Sequence, residues 1–121
     1  MKEVYLNGKD VNIDADFFEG LGADPDSMTA MVALPGSVNE TYHFEFTLDG
    51  NRYRASWLSL SNRLNIKCID LEFKDKDIAG NRLYELSKKI TPDMLTDLVV
   101  RQIVVQPEGD MPKLIMSFYE K

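Results

Sequence analysis

The segment Thr41–Trp57, TYHFEFTLDGNRYRASW, constrains this chain more than any other. Asp49-Gly50 within it is a pair that closes a two-residue hairpin, because both residues tolerate the positive φ such turns demand. Folding about that turn puts Phe46 opposite Tyr53, Phe44 opposite Ala55 and Tyr42 opposite Trp57, all on one face. The other face receives Glu45 opposite Arg54, Thr47 opposite Arg52 and His43 opposite Ser56. A slip of one residue would set aromatic rings against guanidinium groups, so the pattern selects the parity of the register.

The flanking sequence supplies further elements. EVYLNGKDVNI has the form of a second hairpin, with Val4 and Leu6 before Asn7-Gly8 and Val11 and Ile13 after it. Asp14 can cap a short helix carrying Phe17, Phe18 and Leu21, which Gly20 and Gly22 stop. Met28–Leu34 reads as a strand ended by Pro35-Gly36. Leu64–Phe73 alternates Leu64, Ile66 and Cys68 and then shifts phase to Ile69, Leu71 and Phe73, which predicts a bulge. Ala79, Leu83, Leu86 and Ile90 have helical spacing, but Gly80-Asn81 weakens the early part, so a helix is expected from about Asn81. Thr91, Pro92 and Asp93 form a helix start, followed by the apolar stripe Met94, Leu95, Leu98 and Val99. QIVVQ and KLIMSFYE read as strands, and Leu114, Ile115 and Met116, apolar on both faces, place the last of them inside the sheet. The expected class is α+β: a mostly antiparallel sheet of about six or seven strands with two or three helices packed on one face. Residues 1–121 read as a single domain.

Composition narrows the class of protein. The 121 residues are 44% hydrophobic and 28% charged, as in a folded globular domain, and no window approaches the ~18–20 apolar residues of a membrane span. The start, MKEVYLNGKD, has no apolar run behind its charge, and a cytoplasmic protein is expected. Cys68, the only cysteine, excludes an internal disulfide and a cysteine-rich zinc site.

The net charge of −6 is unevenly spread. Residues 1–50 hold ten Asp or Glu against Lys2 and Lys9, a balance of −8, whereas the remaining residues sum to +2. Asp10, Asp14, Asp16, Glu19, Asp24 and Asp26 follow one another with no basic residue between Asp10 and Asp26. Such a field repels nucleic-acid phosphates and attracts basic protein surfaces.

Chemical constellations are weaker. His43, Ser56 and Glu45 are the residue types of a hydrolytic triad, but residues i and i+2 on a strand stand ~7 Å apart, too far for Glu45 to orient the imidazole. Nothing resembles a nucleophile elbow or an oxyanion nest. His43 therefore reads as a half-exposed structural residue, no catalytic residue is expected, and the chain is not read as an enzyme. A calcium loop from Asp14 needs Gly at its sixth position and Glu at its twelfth, where Glu19 and Pro25 stand. A lone histidine disfavours the usual transition-metal sites, and no glycine loop cradles a phosphate, so neither metal nor cofactor is expected. Arg52, Arg54 and Arg63 with Tyr53 and Trp57 suit a nucleic-acid surface in kind, but the register separates the aromatics from the arginines. Met28, Met31, Met94, Met111 and Met116 read as core filler, and Cys68 as an inert buried thiol.

The functional expectation is a small acidic binding protein, an inhibitor or immunity protein that neutralises a basic nucleic-acid-acting enzyme. A nuclease toxin, or a host defence nuclease blocked by a phage protein, would be such a partner. The surface expected to meet it is Asp10, Asp14, Asp16, Glu19, Asp24 and Asp26, carboxylates standing where phosphates would. Direct contact with nucleic acid or membrane is not expected. Two other readings are a scaffold or subunit whose acidity serves solubility, and a small ligand-binding or enzymatic domain with a pocket between sheet and helix.

Overall fold

A computed structural model describes residues 5–6, 9–10, 13, 15–33, 41–58, 61–91, 98–106 and 111–120. In chain order the elements are β1 (Tyr5–Leu6), β2 (Lys9–Asp10), α1 (Ala15–Leu21), β3 (Thr29–Ala33), β4 (Thr41–Leu48), β5 (Asn51–Leu58), β6 (Arg63–Cys68), α2 (Lys76–Ser87), β7 (Leu98–Gln106) and β8 (Lys113–Glu120). Short 3-10 turns occupy Pro25–Ser27 and Phe73–Asp75. Six strands form one antiparallel sheet in the order β3-β4-β5-β6-β8-β7, and β1 pairs with β2 separately. Within this sheet consecutive strands neighbour one another except β6 and β7, between which β8 inserts.

The central hairpin takes the expected register, Tyr42 facing Trp57 and Phe46 facing Tyr53. Its turn uses positive φ at both Asp49 (52°) and Gly50 (78°), as its two-residue length requires. Burial alternates along β4, β5 and β6, and the inward set Tyr42, Phe44, Phe46, Tyr53, Ala55, Trp57, Leu64, Ile66 and Cys68 joins Leu114, Met116 and Phe118 of β8 in one core. Both helices cover this face. Phe18 of α1 packs its ring against Phe44 at 5.1 Å and Phe46 at 4.9 Å, while α2 lies over β6, β8 and β7 with Ala79, Leu83 and Leu86 buried. The double-sided apolar pattern of Leu114–Met116 thus belongs to an interior strand, as its sequence predicts.

Several local expectations are corrected. Helix is scarcer than two or three full helices: α1 has seven residues and only α2 has ordinary length. The phase shift after Cys68 is the end of β6 and not a bulge. Ile69 N–H still donates to Arg52 O at 3.1 Å, but Asp70 turns away to pair with Arg82 on α2 at 2.9 Å. Among the described residues a register shift lies in β7, between Val100 and Gln102. Helix α2 begins at Lys76 instead of near Asn81, preceded by a turn in which Glu72 N–H donates to Asp75 Oδ2 at 3.4 Å. Gly80 is carried inside it because Ala79 and Leu83 bury on either side, and burial outweighs the ~1 kcal/mol that glycine costs a helix. Of the helix expected after Thr91, residues 92–97 lie outside the described set, and Leu98 and Val99 open β7, their β-propensity satisfied by pairing with Glu120 and Tyr119. The Asn7-Gly8 turn, Val4, Val11 and the Asp14 cap also lie outside the described residues.

Candidate functional site

The acidic run is positioned by α1 and the turn that follows it. Phe17, Phe18 and Leu21 bury, which leaves Asp16 exposed in the first turn and Glu19 half-exposed. Gly22, at φ 114°, reverses the chain so that Ala23 bridges to Leu48 at the end of β4. Asp24 N–H then donates to Thr47 O at 2.8 Å, and Thr47 N–H donates to Ser27 Oγ at 2.8 Å, fixing the Pro25–Ser27 turn beside the central hairpin. Asp24 Oδ1 accepts from Asp26 N–H at 3.0 Å, and both residues are exposed.

None of Asp16, Glu19, Asp24 and Asp26 forms an ion pair among the described residues. Elsewhere Glu45, Asp49, Asp70, Glu72 and Glu85 each lie within 4 Å of a Lys or Arg nitrogen. Four of the six predicted partner-binding residues thus lie on α1 and the turn that follows it, exposed or half-exposed. The backbone of Asp10 lies in β2, its side chain and all of Asp14 being outside the described residues.

The sheet face turned away from the helices has the opposite character. Its outward positions on β4, β5, β6 and β8 hold Arg52, Arg54, Arg63, Lys67 and Lys113 against a single carboxylate, Glu45. Glu45 is shared between Arg52 at 3.6 Å and Arg54 at 3.9 Å. Across this face His43 Nδ1 and Ser56 Oγ share a hydrogen bond of 3.0 Å, and Ser56 stands opposite Asn65 on β6. Burial, then the nearby charge of Arg54, holds the His43 pKa below the ordinary histidine value, with Lys67 acting in the same direction and Glu45 against it. As a reaction centre the pair is incomplete among the described residues, since Glu45 serves the arginines and the surrounding backbone N–H groups are engaged in the sheet ladder. Sequence reasoning had singled out the three arginines of this face but not Lys67 and Lys113. The signal was present: each is the polar member of an alternating strand, Lys67 between Ile66 and Cys68 and Lys113 ahead of Leu114.

A separate cleft of about 320 Å³ opens between α2 and the β4–β5 turn, lined by Tyr53, Ile78, Arg82 and Leu86 among others. Cys68 is buried, and burial pushes its thiol pKa up to about 11, so the thiol is protonated at neutral pH. Among the described residues no group of three His, Cys, Asp or Glu is placed to hold a metal, and no helix is long and apolar enough to cross a membrane. Comparison of the chain with protein-family models, curated proteins and solved structures gives no match.

Proposed function

We propose that this chain is a cytoplasmic, non-catalytic binding protein whose acidic end, Asp16 to Asp26, engages a basic nucleic-acid-acting enzyme and blocks its phosphate-binding surface. One observation supports the reading: among the described residues the carboxylates of this end form no ion pair, while five others are paired. An unpaired cluster keeps its field, and that field steers encounter with a positive groove. The fixed turn from Asp24 to Ser27 adds preorganisation, so little ordering entropy is lost on binding.

The direct test is to express the product of the neighbouring gene and assay its nucleic-acid cleavage with and without this protein. Stoichiometric inhibition that weakens as salt rises supports the proposal; unchanged cleavage by a basic neighbour that does not bind this chain refutes it for that partner. The cleft between α2 and the hairpin favours a second reading, a small-ligand domain, since about 320 Å³ reaches the lower end of ligand-pocket sizes of ~300–1,000 Å³. A small ligand that raises the melting temperature of Asp16→Lys/Glu19→Lys as much as that of the parent would select this second reading.

A further inference from the structure

The basic sheet face contains a recess that the acidic end does not explain. It holds about 80 Å³ and is lined by Arg54, Ser56, Asn65, Ile66, Lys67 and Lys113, drawn from β5, β6 and β8. The recess is roomy enough for a small polyatomic ion. Pairing brings the polar groups together: Arg54 faces Lys67, and Ser56 faces Asn65 one step along the same strands. No carboxylate lines the recess. Lys67 forms no ion pair among the described residues, and Arg54 makes only the 3.9 Å contact to the shared Glu45.

We propose that this recess binds a phosphate group, free or as a phosphomonoester. The cationic lining favours a dianion over a monoanion. The Arg54 guanidinium fork and the Lys67 ammonium offer more donors than the two oxygens of a carboxylate readily take, whereas a tetrahedral phosphate presents three or four. A phosphate seated here would also lie beside Ser56, whose hydroxyl is bonded to His43. Burial lowers the His43 pKa first and Arg54 and Lys67 lower it further; a bound anion would offset that cationic part, so the only histidine in the chain becomes the reporter.

The experiment follows the His43 ring signals by NMR across pH, with inorganic phosphate, with adenosine monophosphate, and with chloride at matched ionic strength. Saturable shifts and a raised His43 pKa with phosphate but not chloride are expected. Arg54→Gln and Lys67→Gln should each weaken binding about tenfold or more, since each removes a charge-assisted contact. Lys74→Gln, an exposed change of equal charge on the turn before α2, should leave it unaltered. Tighter binding of the monoester identifies an ester as the ligand, and equal binding identifies phosphate itself. Shifts that match those in chloride, fail to saturate, or weaken equally in Lys74→Gln would overturn the site. None of these variants touches the acidic end, so failure here leaves the proposed partner surface standing, and the reverse also holds.

Discussion

Trp57 is 3% exposed, with its ring edge-on to Phe118 at 5.7 Å and its indole N–H without a hydrogen-bond partner. Trp57→Ala is expected to lower stability by ~3–5 kcal/mol, the usual cost of emptying a large aromatic site. Trp57→Phe should cost markedly less, because it keeps a ring and removes an unsatisfied donor. Urea denaturation measures both, and a loss under ~1 kcal/mol for the alanine variant would contradict the burial. His43 gives a pH prediction. Its folded pKa lies below the unfolded value, so the unfolded chain binds the proton more readily. The stability it contributes is present above ~6.5 and is lost as pH falls through the folded pKa. The stability advantage of the parent over His43→Gln should therefore shrink on acidification. An advantage that grows as pH falls would contradict the sign.

At the scale of elements, Gly50 sits at φ 78° with open space where a Cβ would stand, so its role is backbone conformation alone. Gly50→Ala is expected to cost ~1 kcal/mol or more through left-handed strain, read as a lowered denaturation midpoint. An unchanged midpoint would mean that the turn relaxes to another type. This hairpin was also the most legible part of the sequence, because turn chemistry and side-chain alternation point to the same register. The start of α2 was illegible for the opposite reason. Gly80-Asn81 argues locally against helix, and only the burial of Ala79 and Leu83 against the sheet decides otherwise. The run from Thr91 to Val99 carried good capping residues, yet Leu98 and Val99 take their structure from a partner strand, β8, that lies later in the chain. Strand order has the same origin, since the insertion of β8 between β6 and β7 depends on long-range pairing that no local pattern encodes.

Across the whole molecule, charge is segregated more sharply than the net value of −6 implies. Carboxylates that form no ion pair among the described residues lie at α1 and its following turn, and cations gather on the open sheet face. The acidic run was visible as composition. That four of its members, on α1 and the following turn, form no ion pair among the described residues required the fold, and the basic face required the register of four strands at once. Exposed charges of this kind contribute little to stability, so reversing them is expected to leave the melting temperature nearly unchanged. Their effect belongs to association, where a charged surface raises the encounter rate at low salt and loses influence once the Debye length falls to ~3 Å near 1 M salt. The most direct measurement is the stopped-flow association rate with a basic nucleic-acid-acting enzyme of the kind proposed as partner, at low and high ionic strength, for the parent and for Asp16→Lys/Glu19→Lys/Asp26→Lys. A reversed protein that associates at least about tenfold more slowly at low salt, with the difference collapsing at high salt, is the predicted result. Equal rates for the two proteins at low salt, with both folded and both bound, would contradict the acidic end as the partner surface.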